Sequence, residues 1–151
     1  MAESAVFFLE EDARPLSLEV VYGQPVLAWT ARRLVSDGVK RFFAAAPAGL
    51  AAEVRLCFPA GADLTVSDFR EDLLSFLDAP GSALVFSRAA LPVAEAGPGM
   101  IYNAPCAVLK EAWRDRLSNA VQDAVPVSGW IPVYTRELLR ELEPRFRPDL
   151  L

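Results

Sequence analysis

A strand, a helix and a second strand follow one another within residues 4–46, and this pattern constrains the fold most strongly. Residues 4–9 form an apolar run flanked by charge, as expected of a strand buried on both faces. The helix that follows has apolar residues at i, i+4, i+7 and i+8, with Pro25 at its start and Gly38 just past its end. Residues 39–46 form the second apolar run. Because such a unit implies a right-handed crossover, the pattern predicts a parallel sheet.

The rest of the chain continues the alternation of strands and helices. We predict a third strand at residues 63–67, polar enough for a sheet edge, and then a helix capped by Asp68. Residues 82–86 predict a fourth buried strand. The remaining expected elements are a loop over residues 91–99, a helix from Pro105, a strand over residues 130–134 and a helix capped by Thr135. This order predicts one α/β domain over residues 1–151, a three-layer α/β/α sandwich with a mostly parallel sheet and an extra C-terminal strand and helix.

Composition limits the classes of function. The chain has 151 residues, of which 53% are hydrophobic, so it is long enough to bury a core without disulfides. A net charge of −5 without a lysine- or arginine-rich block argues against nucleic acid as a partner. No apolar stretch is long enough to cross a membrane and the start lacks a basic segment, so we expect a cytoplasmic protein. Cys57 and Cys106 lack metal or redox spacing and are expected to be buried free thiols.

Some residue types narrow the chemistry further. The chain contains no histidine, which excludes nucleophilic catalysis of the Ser-His or Cys-His kind. Arginines gather late in the sequence, where ion pairs with Glu137, Glu141 and Glu143 are favoured over a phosphate-binding patch. These arginines are Arg114, Arg116, Arg136, Arg140, Arg145 and Arg147.

The three tryptophans have different expected roles. Trp113 lies on the apolar stripe of its helix and is expected in the core. Trp29 lies off the stripe of its helix, which suggests contact with a partner subunit or a neighbouring domain. Trp130 lies in an irregular stretch, and the pattern does not place it.

The residues at the start of the first helix resemble a family motif. Residues 23–27 (Gly-Gln-Pro-Val-Leu) resemble the Gly-Lys-Pro-hydrophobic element of sugar-nucleotide pyrophosphorylases, typified by N-acetylglucosamine-1-phosphate uridylyltransferase. Pro15 and Leu18 fit the family's Pro-Lys-x-Leu element, and residues 100–104 resemble more weakly its later strand-to-helix junction. The resemblance implies a Rossmann-like nucleotide-diphospho-sugar transferase fold with strand order 3-2-1-4. It also implies a nucleotide or sugar phosphate as ligand.

The resemblance breaks down where the family binds phosphate. The family's glycine-rich loop is here shortened to residues 10–14 and has no glycine, so it lacks the backbone freedom of a phosphate cradle. Three carboxylates in this loop repel phosphate, by about 1 kcal/mol per charge pair at 4 Å in water and more at a drier site. Leu16 takes the place of the family's lysine and removes a cation. Arg14 is all that can correspond to the loop arginine.

A second departure concerns the metal. Where the family's fourth strand runs into Gly-Asp, whose carboxylate helps hold Mg²⁺, this chain has Ser87 and Arg88. If the strand order follows the family, a ligand lies at the switch point between the first and fourth strands. The candidate ligand-binding residues there are Glu10, Glu11, Asp12, Arg14, Ser87 and Arg88. We assign no catalytic residue and no metal ligand.

Three functional interpretations remain open. We favour a nucleotidyltransferase-like domain that has lost catalysis and serves in binding or assembly, which includes a homo-oligomer. The alternative is an active enzyme that forms a nucleotide sugar from a nucleoside triphosphate and a sugar phosphate with Mg²⁺. The third is an unrelated α/β domain in which Glu10, Glu11 and Asp12 bind a divalent cation, against the simpler interpretation of solvated loop charges.

Overall fold

The computed structural model describes residues 2–9, 14–114 and 124–146. The described strands are β1 (Ser4–Phe8), β2 (Val20–Val21), β3 (Gln24–Pro25), β4 (Arg41–Ala45), β5 (Asp63–Ser67), β6 (Ser82–Phe86), β7 (Ala90–Pro92), β8 (Tyr102–Pro105), β9 (Val125–Pro126) and β10 (Trp130–Pro132). The described α-helices are α1 (Val26–Ser36), α2 (Ala51–Leu56), α3 (Arg70–Phe76), α4 (Cys106–Arg114) and α5 (Arg136–Leu142). Short 3₁₀ turns cover Leu16–Leu18, Ala48–Leu50 and Glu143–Arg145.

The main sheet has the strand order β5-β4-β1-β6-β8-β9. β1 pairs in parallel with β4 and β6, and β4 pairs in parallel with β5, whereas β8 and β9 join antiparallel. The expectation of an α/β protein with a mostly parallel sheet is therefore confirmed. If the parallel strands are numbered along the chain, their order in the sheet is third (β5), second (β4), first (β1) and fourth (β6). β5 lies at the sheet edge, as its polar sequence predicts.

β1 forms the centre of the sheet and is buried on both faces, as its apolar sequence predicts. Phe7 faces the side that carries α1 and α2, where it packs with Phe42 and Phe86. Val6 faces the side that carries α3 and α4, together with Phe43. Two apolar clusters thus lie on opposite faces of the sheet. Helices that have an apolar stripe cover each of them.

Helix α1 follows the predicted pattern with one exception. Leu27, Ala31 and Leu34 are buried against the sheet, but Val35 is 42% exposed. Val26, Trp29 and Thr30 are buried as well, so the buried face of the helix is wider than the predicted stripe and Val35 lies outside it. Gly38 follows the helix with φ +96, the left-handed conformation that glycine adopts most easily, as predicted.

The C-terminal elements pack onto the β2–β3 hairpin and α1, and they bury Trp29. The Thr135 hydroxyl caps α5 by accepting a hydrogen bond from the Leu138 N–H at 3.0 Å, as predicted. Trp29 is 5% exposed, and its ring centroid lies 5.3 Å from that of Phe146. The suggested contact of Trp29 with a partner subunit or another domain is therefore wrong. A third apolar cluster surrounds Trp29. Its residues lie far apart in sequence, so the apolar stripe of a single helix does not predict the cluster.

Several expected elements differ from the structure. β7 begins one residue before the loop expected over residues 91–99 and extends into it. It forms a separate two-stranded sheet with β10, so the extra C-terminal strand does not join the main sheet. The cap expected at Asp68 is wrong, because Phe69 occupies the N-cap position of α3 and makes no side-chain cap there. The hydroxyl of Ser67 instead accepts the Phe69 N–H at 3.0 Å.

Three of the late arginines form ion pairs with glutamates, as favoured from the sequence. Most partners differ from those expected, because they lie on elements distant in sequence. Arg136 pairs with Glu19 at 2.7 Å, Arg140 with Glu143, and Arg145 with Glu95 at 3.9 Å. Arg116 and Arg147 lie outside the described residues. None of the helices described here has the length and apolar character that crossing a membrane requires.

Candidate functional site

The order of the parallel strands creates a switch point between β1 and β6. β4 and β5 lie beside β1 towards one edge of the sheet, and β6 lies beside β1 towards the other edge. In open α/β sheets, ligands bind in the crevice outside the carboxyl ends of the strands at such a point. Glu10, Glu11 and Asp12 follow β1 here but lie outside the described residues, so their role stays a prediction.

Arg14 contacts Glu53 of α2 and the carbonyl of Leu18. Its Nη1 lies 3.3 Å from Oε2 of Glu53, and its Nη2 donates to the Leu18 carbonyl at 3.3 Å. Both charged side chains are about half exposed, so the ion pair adds little stability. The guanidinium thus links the 3₁₀ turn at Leu16–Leu18 to α2.

Leu16 occupies the position where the resemblance places a lysine, and it is part of the core. It lies in a 3₁₀ turn, is 6% exposed, and packs in the third cluster with Val21 and Leu91. A cation at this buried position would need a partner to offset the cost of desolvation. The local packing therefore requires an apolar side chain where the family uses a positive charge.

Arg88 follows β6, where the resemblance places a metal-binding aspartate. Its guanidinium carbon lies 4.3 Å from the centroid of the Tyr134 ring, in cation–π geometry. Its Nε is buried and has no acceptor among the described residues. Within the described part of the chain, no carboxylate lies within ion-pair distance of the guanidinium. The side chain is thus held by an aromatic ring and presents positive charge where the family presents negative charge.

Ser87 is exposed and lines a crevice of about 650 Å³ at the carboxyl end of β6. The crevice lies on the α4 side, and the described residues that line it carry no charged side chain. Phe8 and Trp113 form one wall, with ring centroids 5.4 Å apart and planes at 89°. Tyr102 is half-buried, and burial raises the pKa of its phenol. This crevice can hold an aromatic or apolar group, but it offers no cation to a phosphate.

The described residues at the switch point do not fit the Mg²⁺ ion that the resemblance implies. Mg²⁺ prefers carboxylate oxygens and waters in near-octahedral geometry. The position of the expected aspartate holds Arg88, and the described residues include no cluster of three or more His, Cys, Asp or Glu side chains suited to a metal. Ser87 and Arg88 therefore supply no carboxylate ligand for the ion, and Glu10, Glu11 and Asp12 lie outside the described residues.

Sequence reasoning missed the aromatic wall of the crevice. Trp113 was expected in the core, and it does pack against the second cluster, but it is only half-buried and also faces the crevice. It ends the apolar stripe of α4, four residues after Leu109. A large aromatic residue on the last turn of a helix can reach past the helix end, and this signal could have indicated the aromatic wall.

Neither a scan against protein-family models nor a search of curated proteins finds a match for this chain. The resemblance to the sugar-nucleotide pyrophosphorylases therefore rests on the motifs quoted above.

We expect Cys57 and Cys106 to resist a thiol reagent in the folded protein at about pH 8, where a free cysteine reacts. Both are buried free thiols, as predicted. Burial, and to a lesser extent the Glu53 carboxylate, raises the pKa of Cys57 from 9.0 to about 11. Burial also raises the pKa of Cys106, although the charge of Arg41 acts in the opposite direction. Since the thiolate is the reactive form, neither residue is suited to act as a nucleophile.

The reaction of both thiols with Ellman's reagent, before and after addition of denaturant, measures this. Fast reaction of the folded protein would contradict the expectation.

The Cys57 thiol also gives a pH dependence of stability. The folded state holds the proton of this thiol more tightly than the unfolded state does. The thiol's contribution to the free energy of unfolding is therefore complete below pH 9.0 and is lost as the pH rises through about 11.

Proposed function

We propose that this chain is a nucleotidyltransferase-like domain with the fold of the sugar-nucleotide pyrophosphorylases, and that it has lost catalysis and acts by binding or assembly. The proposed fold is a three-layer, Rossmann-like sandwich. Support comes from the order of the parallel strands, from helices on both faces of the sheet, and from the Gly23–Pro25 turn that leads into α1. Fold and site chemistry are separate requirements, so a fold can persist after its site is lost.

The observation that carries the loss of catalysis is the position of Arg88. Transfer of a nucleotidyl group depends on positioning of the phosphates and on stabilisation of their charge by a metal ion and cations. Here a guanidinium held on Tyr134 replaces a metal ligand, and Leu16 is buried where a cation is needed. The first change removes a ligand of the metal ion, and the second removes the lysine that would stabilise developing negative charge, so two parts of this stabilisation are missing.

The crevice beside Trp113 suggests what binding at this end of the sheet can still involve. The aromatic wall formed by Phe8 and Trp113 can pack against a planar ring of a ligand. Such packing does not depend on which hydrogen-bond donors and acceptors the ligand ring carries. No charged side chain among the described lining residues is available for a triphosphate. A ligand here is therefore expected to bind through a ring or an apolar group, without help from Mg²⁺.

A thermal-shift panel tests the proposal. The full chain is heated with nucleoside triphosphates, nucleotide sugars and sugar phosphates, each with and without Mg²⁺. A ligand at 100 times its dissociation constant adds about 2.7 kcal/mol, which moves the midpoint by several degrees. We expect no Mg²⁺-dependent shift with any triphosphate, and any shift that does occur should be unchanged in Arg88→Ala.

A Mg²⁺-dependent shift with one triphosphate, lost in Arg88→Ala, would contradict the proposal and favour the active enzyme. A panel without any shift would favour assembly over binding of a small ligand. Size-exclusion chromatography with light scattering would then show whether the chain forms a homo-oligomer.

A further inference from the structure

A second cleft lies at the opposite end of the sheet from the switch point. It has a volume of about 440 Å³ and lies on the face that carries α1. Ala2 and Val39, which precede β1 and β4, both line it, so it lies at the amino ends of these strands. Its floor includes Leu84 of β6 and Asn103 of β8, which are paired across the two strands. The cleft shares no lining residue with the crevice beside Trp113.

Two chain segments joined by hydrogen bonds form one wall of the cleft. The Val93 N–H donates to the Gly129 carbonyl at 2.9 Å, and the Gly129 N–H donates to the Ala96 carbonyl at 2.9 Å. Trp130 extends this wall and is fixed edge-to-face on Phe86, with ring centroids 5.0 Å apart. The wall is therefore held in place before any ligand arrives. Pre-formed pockets of about 300–1,000 Å³ are the usual size for small-molecule sites.

The charges that line the cleft come as two pairs of opposite sign. Arg33 and Asp37, one turn apart on α1 and its end, are 3.1 Å apart. Arg145 and Glu95 are 3.9 Å apart, and their side chains are 51% and 67% exposed. A loose, exposed pair of this kind adds little stability, so its two charges are free to exchange partners. The cleft thus offers a separate cation and anion beside an apolar floor.

Asn103 supplies an amide in the floor. Its Oδ1 is buried, and no donor among the described residues lies within hydrogen-bond distance. A buried acceptor without a partner lowers stability, so the side chain does not serve to hold the strand in place. Asn103 lines the cleft, and rotation about its last side-chain bond exchanges the positions of the amide oxygen and the amide nitrogen.

We propose that this cleft binds a small zwitterion with an apolar side chain, namely a free α-amino acid such as phenylalanine or leucine. Arg145 binds the ligand carboxylate, Glu95 binds the ammonium group, and Asn103 accepts or donates one further hydrogen bond. Leu84 and Trp130 hold the apolar side chain. A zwitterion pairs with Arg145 and Glu95 at once, whereas a ligand with a single charge pairs with only one of them, so a zwitterion fits best. The inference does not rest on the function proposed for the switch point.

Titration of the full chain with L-phenylalanine and with L-leucine tests the inference, with heat release and the thermal midpoint as readouts. We expect a saturable rise of the midpoint by several degrees. Two matched probes isolate the charges: hydrocinnamate lacks the ammonium group and phenylalaninamide lacks the carboxylate. Each should bind at least tenfold more weakly than phenylalanine, since a charged hydrogen bond is lost.

Variants locate the site. Glu95→Gln and Arg145→Gln should each weaken phenylalanine binding about tenfold, and both residues are exposed enough for the fold to tolerate the change. Arg55→Gln, on the exposed face of α2, is the control and should bind as the unchanged chain does. Asn103→Leu should raise the midpoint of the ligand-free protein while weakening binding, which a merely structural asparagine would not do.

The inference would be overturned if neither amino acid binds at about 10 mM. This concentration is well above the dissociation constant of a weak ligand, which is about 1 mM. Equal binding of phenylalanine and hydrocinnamate would overturn it too, because the zwitterion would then not be recognised. Unchanged affinity in the double variant Glu95→Gln with Arg145→Gln would place any binding elsewhere and would likewise overturn it.

Discussion

Phe7→Ala is expected to lower the free energy of unfolding by about 3–5 kcal/mol, the usual cost of removing a buried phenylalanine. Phe7 lies in the central strand and is 4% exposed. Its ring centroid is 5.0 Å from that of Phe86, 5.9 Å from that of Phe58 and 6.5 Å from that of Phe42. The substitution therefore leaves a cavity among three rings that belong to different elements. Since a domain is stable by only about 5–15 kcal/mol, the loss is a large share of the total.

Urea denaturation of the wild-type chain and two variants measures this effect. Phe69→Ala is the matched control, because the same atoms are removed from a side chain that is 67% exposed. It should change stability by no more than about 0.5 kcal/mol. A cost for Phe7→Ala below about 1 kcal/mol would mean that β1 is not at the centre of the core.

Trp29→Ala is expected to cost a similar amount, about 3–5 kcal/mol, without a change of oligomeric state. The Trp29 indole packs on Phe146, and its Nε1 donates a hydrogen bond of 2.7 Å to the Val21 carbonyl. The side chain therefore joins α1, the β2–β3 hairpin and the C-terminal segment. Its loss should loosen all three at once.

Trp29→Phe separates packing from hydrogen bonding. It keeps an aromatic ring but leaves the Val21 carbonyl without its donor, which should cost about 1–3 kcal/mol. Urea denaturation gives both values, and light scattering gives the molecular mass of each variant. A stable Trp29→Ala protein of lower mass than the wild-type chain would instead restore the interpretation of Trp29 as a contact between subunits.

The parallel part of the main sheet follows from local sequence patterns, because each of its strands is a short apolar or edge-type run and a helix lies between each strand and the next parallel strand along the chain. β1 and the strand at residues 63–67 were placed correctly for this reason. The β7–β10 ribbon was not predicted as a pair. Each of its strands ends in a proline, Pro92 or Pro132, and proline weakens any strand pattern. Their pairing depends on the fold rather than on local sequence.

The candidate site was predicted only in part. The position of the switch point follows from strand order, so Ser87 and Arg88 were correctly expected at the end of the fourth strand. The contact of Arg88 with Tyr134 joins residues that are far apart in sequence, and no periodic pattern encodes it. The aromatic wall was missed because a helix stripe distinguishes buried from exposed positions, but it does not show which buried residue borders a crevice.

The most direct test of the central claim is a pyrophosphate-release assay. The full chain is incubated with each nucleoside triphosphate, a panel of sugar 1-phosphates and Mg²⁺, and pyrophosphate is measured over time. Because Arg88 and Leu16 stand where a metal ligand and a cation are needed, we expect no release above the Mg²⁺-free control. Mg²⁺-dependent release that co-elutes with the chain on size-exclusion chromatography would contradict the claim and identify an active nucleotidyltransferase.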